Sequence, residues 1–119
     1  MSKIYPKTVV FDFDGVIHSY MTPWKSNDVI PDPPVPGIKE SIDSIRSAGY
    51  YVVIVSARFN TYEGMQAVKQ WLNKYHIKVD GMMREKPPAI VYIDDRAICF
   101  DGKPEKLLSQ IEKFKPWNR

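Results

Sequence analysis

The segment Thr8-Val9-Val10-Phe11-Asp12-Phe13-Asp14-Gly15-Val16 constrains this chain most. An apolar, β-branched run stops at two carboxylates one residue apart, followed by glycine. Short apolar runs of this kind are the buried strands of parallel sheets. Such sheets do their chemistry just beyond the carboxyl ends of the strands. Asp12 is therefore expected at the mouth of a crevice. Residues two apart in extended chain point to the same side, and a turn at Gly15 re-aims Asp14 over the same place. Two neighbouring carboxylates repel, so one must meet a cation or hold a proton. That arrangement suits a magnesium ion with a nucleophile and a general acid. The plainer reading is a strand ending in a solvated Asp-x-Asp-Gly turn.

Two further apolar runs end in the same way. Val52 to Val55 stops at Ser56-Ala57-Arg58, and Ala89 to Ile93 stops at Asp94-Asp95, with Lys86 just ahead of it. Each run delivers polar groups to one edge of one sheet. A hydroxyl and an ammonium bind phosphoryl oxygens, and carboxylates bind a hard cation. Singly, each has a dull alternative: Ser56 caps a turn, Lys86 is an exposed loop lysine, and Asp94 and Asp95 are solvated loop acids. Their joint order is harder to dismiss. Arg58 either clamps a second anionic group or forms a surface ion pair.

With these four segments in this order, the chain resembles the haloacid dehalogenase superfamily from Val9 to about Gly102. Asp12 and Asp14 match its Asp-x-Asp-Gly motif, Ser56 its second motif, Lys86 its third, and Asp94 with Asp95 its acidic fourth. The resemblance implies a magnesium-dependent phosphatase. Asp12 would attack phosphorus and carry an aspartyl phosphate, and Asp14 would act first as acid, then as base. Ser56 and Lys86 would hold phosphoryl oxygens. Magnesium would sit on Asp12, Asp94 and the backbone carbonyl of Asp14, with Asp95 tuning Lys86 or the metal shell. Gly15, Arg58 and His18 are the substrate-binding candidates. Retention of an acid at Asp14 separates the chain from dehalogenating relatives.

The gap after the first motif is too short for the cap domain that many relatives carry, and the second gap, Ala57 to Glu85, is taken up by a helix and a short strand. The expectation is a single domain over residues 1–119: a three-layer, Rossmann-like α/β sandwich with a mainly parallel sheet, no cap, and a small flap over Ile17 to Pro36. His18, Tyr20 and Trp24 on that flap either touch a leaving group or pack the flap down. An uncapped site admits bulky phosphorylated substrates, or closes against a second subunit of a homo-oligomer. Two other functions stay open: a polynucleotide-end (3′-phosphate) phosphatase, and a ligand-binding module without turnover. The net charge of +3 helps an anionic substrate approach but does not argue for nucleic acid. One cysteine, Cys99, excludes an internal disulfide and fits a reducing cytosol. Its apolar neighbours Ile98 and Phe100 predict burial. No apolar run reaches the ~20 residues of a membrane span, and no leader follows Met1. A cytoplasmic protein is expected.

Periodicity predicts the remaining elements. Ile38, Ile42 and Ile45 mark a helix ending at Gly49. Asn60-Thr61-Tyr62-Glu63 resembles a capping box opening a second helix, whose buried stripe is Met65, Val68, Leu72 and Tyr75, extended by Trp71. Val79 to Met83 reads as a third strand and Ala97 to Phe100 as a fifth. Pro104 opens a last helix, with Leu107, Leu108, Ile111 and Phe114 as its buried face, and the tail from Lys115 to Arg119 is expected to fray.

Overall fold

The computed structural model describes residues 7–118. Four strands, β1 (Thr8–Asp12), β2 (Tyr51–Val55), β3 (Gly81–Met83) and β4 (Val91–Ile93), form an all-parallel sheet in the order β3-β2-β1-β4. The helices are α1 (Ile38–Ser47), α2 (Tyr62–Lys74) and α3 (Leu107–Lys113). This is the α/β sandwich that the alternating signals predict. Among the described residues no helix is long and apolar enough to cross a membrane.

The pleat explains the core. Val9 and Phe11 of β1 and Val52 and Ile54 of β2 join one buried cluster with Ile42 of α1 and Val68, Trp71 and Leu72 of α2. The intervening Val10 and Val53 are buried as well, so the central strands are apolar on both faces, as parallel strands covered on both sides must be. The α1 and α2 stripes fall where the periodicity puts them. Helix α1 ends at Ala48, and Gly49 follows with φ of +98°. The Gly49 N–H donates to the Arg46 carbonyl and the Tyr50 N–H to that of Ile45. This is the paired-bond helix stop that favours glycine. The cap of α2 lies one residue later than the sequence suggests. Thr61 accepts the Gly64 N–H at 3.0 Å, so Gly64, not Glu63, occupies the third helical position.

Three expectations fail, each for want of a packing partner. Ala97 to Phe100 forms no strand, and the sheet described ends at β4. The apolar face of α3 is not covered: Leu108, Ile111 and Phe114 are exposed. Cys99 is an exposed free thiol. The third and fourth strands are also shorter than the apolar runs. One backbone bond extends each ladder outward, from the Asp80 N–H to the Val52 carbonyl and from the Ile90 N–H to that of Thr8. At the near end of β3 the Asp80 carboxylate itself accepts the Val52 N–H at 2.8 Å and pairs with Arg46.

The expected flap is present. Its two ends run antiparallel, with the Ser19 N–H donating to the Pro33 carbonyl and the Val35 N–H to that of Ile17. Between them, Asp32 accepts both the backbone N–H and the hydroxyl of Thr22 at 2.7 Å.

Candidate active site

Parallel pairing places the ends of β1, β2 and β4 on one edge. Asp12 stands opposite Val55, so Ser56 follows beside it, and Phe11 stands opposite Ile93, so Asp94 follows on the other side. Carboxylate oxygens of Asp12, Asp94 and Asp95 lie within 4.8 Å of one another. Burial, then the Asp94 charge, then a hydrogen bond and charge from Asp95 push the Asp12 carboxyl up to about 8. The Asp12 carboxyl therefore keeps its proton near neutral pH, and the cluster is short of positive charge. Three clustered carboxylates offer only hard oxygen donors, the donor set of a magnesium or calcium ion. A dication would relieve the repulsion that raises Asp12.

Asp14 has a different neighbourhood. Phe13 between the two aspartates is fully buried, packed edge-on to Trp71 and stacked on His18. The chain then wraps tightly, with the Ile17 and His18 N–H groups both donating to the Phe13 carbonyl. Gly15 allows the wrap, with φ of +85°, and a side chain there would overlap the Asp95 carboxylate. The wrap aims the Asp14 carboxylate at His18 Nδ1 (2.8 Å) and at Arg58, whose Nε lies 2.9 Å and Nη2 3.1 Å away. Burial would raise Asp14, but these hydrogen bonds and charges outweigh it and hold the carboxyl below its usual range. The two aspartates are thus driven to opposite protonation preferences.

His18 and Arg58 face inward. The Asp32 N–H donates to His18 Nε2 at 3.2 Å, which leaves the Nδ1 proton for Asp14. Arg58 is 1% exposed. Its Nη1 donates to the carbonyls of Ser26, Asn27 and Val29, and its guanidinium lies 4.4 Å from the Trp24 ring centre. Neither expected role fits this geometry. Arg58 is no clamp on a substrate and no surface ion pair, and its donors bind the flap to Asp14. His18 likewise packs and hydrogen bonds beneath the flap rather than facing a leaving group. The backbone of Arg58 sits so close to α2 that a side chain at position 64 would overlap its carbonyl, which accounts for Gly64.

The other two predicted residues are partly placed. Ser56 is buried, and its Oγ accepts the Arg58 N–H at 3.1 Å, capping the short turn Ala57–Asn60. Its hydroxyl proton remains available to an anion. Lys86 is half exposed, with Nζ 3.7 Å from Asp94, so it pairs with Asp94 rather than with Asp95. Asp95 itself belongs to the carboxylate cluster, whereas the Asp14 side chain does not.

No family model matches the chain, and no curated protein does. Solved structures do. A conserved protein from Bacteroides thetaiotaomicron shares 18% identity at a TM-score of 0.59, each chain covered over 94%. A chain of the Pnkp1/Rnl/Hen1 complex shares 21% identity, and one of the Pnkp1/Rnl/Hen1 RNA repair complex shares 18%, both at a TM-score of 0.54. These cover 92% and 97% of this chain but only 36% and 34% of theirs, so the chain spans about a third of each. At such identities the likeness is one of fold.

Two contacts come from a segment that sequence reasoning sets aside. The tail is not frayed over its described part. The Trp117 indole N–H donates to the Gly15 carbonyl at 2.6 Å, and the Asn118 amide donates to that of Ser19 at 3.1 Å. No local pattern around Trp117 signals this.

The Arg58 geometry makes a stability prediction. Arg58→Ala leaves a half-buried carboxylate and three flap carbonyls without their donor. Losing one partner of a buried ion pair costs about 3 kcal/mol or more, so the melting temperature should fall by roughly 10 °C or more. Arg58→Lys should recover only part of this, because an ammonium lacks the fork that reaches Asp14 and the flap together. A thermal melt of the three proteins checks it.

Proposed function

We propose that this chain is a magnesium-dependent phosphomonoester hydrolase of the haloacid dehalogenase type, working through an aspartyl phosphate. The observation that carries the reading is the convergence of the Asp12, Asp94 and Asp95 carboxylates at the ends of β1 and β4. These three residues would hold the cation, which supplies neutralising charge to the nucleophile and the phosphoryl oxygens. Asp12 attacks phosphorus. The Ser56 hydroxyl and the Lys86 ammonium steady the oxygens on which charge develops. Asp14 then takes the proton of the water that cleaves the acyl phosphate, a role suited to a carboxylate held ionised. In the first step the same group, protonated beforehand from water, gives its proton to the leaving oxygen. An exposed, unpaired Cys99 persists as a thiol in a reducing compartment, in keeping with a cytoplasmic site of action.

A polynucleotide-end phosphatase is the narrower alternative, favoured by the fold likeness to a chain of an RNA repair complex. Hydrolysis of an aryl phosphate in magnesium, lost on chelation, tests the general reading. Parallel assays on a 3′-phosphorylated oligonucleotide, a phosphopeptide and a sugar phosphate test the narrower one. Magnesium with beryllofluoride, which mimics the phosphoryl group on Asp12, should raise the melting temperature, since both bind only the folded site. An equal rise in Asp12→Ala would count against the aspartyl-phosphate route.

A further inference from the structure

Trp117 is hydrogen bonded to the active-site loop, yet its side of the molecule is open: the residue is 59% exposed. The indole is held at the site mouth by its polar edge while much of its surface stays open. It lines a recess of about 240 Å³ whose apolar walls are Val16, Val35 and Ile93 and whose rim carries Asp94 and Asp95. The recess is smaller than the ~300–1,000 Å³ of drug-sized sites, which matches a single ring rather than a whole polymer segment. Its aliphatic walls carry no hydrogen-bonding side chain, and the indole beside them offers a face on which a planar ring can stack.

We propose that Trp117 is a specificity-determining residue: its indole stacks on a planar aromatic ring in the organic part of the phosphate ester, as in a nucleotide or an aryl phosphate. The inference rests on the hydrolase reading only in placing the phosphoryl group at Asp12. The Nε1 bond to Gly15 fixes the ring beside the carboxylate cluster, and Asn118 fastens the tail behind it through Ser19.

Phenylphosphonate and methylphosphonate, which cannot be hydrolysed, test it in magnesium by calorimetry. Wild-type protein should bind the phenyl compound roughly tenfold more tightly, as expected for one aromatic stacking contact. That ratio should approach one in Trp117→Ala and persist in Trp117→Phe, which keeps a ring but loses the Nε1 donor. A ratio near one in the wild type, or one unchanged in Trp117→Ala, overturns the proposal. A ratio lost equally in both variants would make the Gly15 hydrogen bond the working part and overturn stacking. Trp117-dependent binding of phenylphosphonate without turnover of phenyl phosphate would support this inference and reject the hydrolase reading. Adenosine 3′-phosphate and phosphotyrosine, bound to Asp12→Asn with and without Trp117→Ala, identify the source of the ring. Dependence in neither overturns the proposal.

Discussion

Asp12→Asn is expected to abolish hydrolysis of phosphomonoesters and, in the absence of divalent metal, to raise the melting temperature at pH 8. Loss of activity follows because an amide is no nucleophile toward phosphorus. The gain in stability follows from the carboxyl being pushed up to about 8 by burial and by Asp94 and Asp95. A group whose folded pKa lies above its unfolded value stabilises the fold fully below the unfolded pKa, near 4. That contribution is lost as pH rises through about 8. Wild-type protein without metal should therefore lose stability across this window, and Asp12→Asn should not. A difference of even 1 kcal/mol corresponds to roughly 4 °C or more in a domain of this size. Melting curves at pH 5 and pH 8 with a chelator measure it. Wild-type turnover in the purified variant would remove Asp12 from the chemistry. A wild-type pH slope of stability in the variant would show that the Asp12 carboxyl is not its source.

Asp14→Asn is expected to behave oppositely in stability while also losing activity. Turnover should fall by roughly 10²–10⁴-fold, the usual value of a positioned proton transfer. The loss should be smallest at the first step for aryl phosphates, whose leaving groups need little protonation. Breakdown of the aspartyl phosphate stays slow, so the intermediate should accumulate and be visible by intact mass as an added phosphoryl group. The variant should also melt lower at neutral pH, because Arg58 is left buried beside an uncharged amide. Asp14 is held below its usual range by His18 and Arg58 against the effect of burial. Its stabilisation is therefore present above the unfolded pKa and disappears as pH falls through the lower, folded value. The gap between wild type and variant should close in acid. Unimpaired turnover of an alkyl phosphate would remove Asp14 from the proton transfer.

These opposite signs arise from the third dimension, since Asp12 and Asp14 are chemically identical and two residues apart. The sheet, the strand ends and their polar residues were legible because they depend on local facts: runs of β-branched residues, alternation along a strand, and glycine where φ turns positive. Parallel pairing then carries Asp12, Ser56 and Asp94 to one edge whatever the loops do. The helical stripes of α1 and α2 were legible for the same reason. The stripe of α3 was equally clear, but periodicity says which residues share a face and not whether anything covers it. Leu108 and Ile111 remain exposed.

The sequence by itself determined which groups reach the edge of the sheet; only the tertiary structure decided what each of them touches. Arg58 turns inward because flap carbonyls some thirty residues away in the chain, with Asp14, engage all three of its nitrogens. Asp95 joins Asp12 and Asp94 because Gly15 leaves space for its carboxylate. Trp117 reaches the Gly15 carbonyl across a separation of 102 residues. Side-chain direction and protonation are set by burial and by partners distant in sequence, and no local pattern of residue types carries that information.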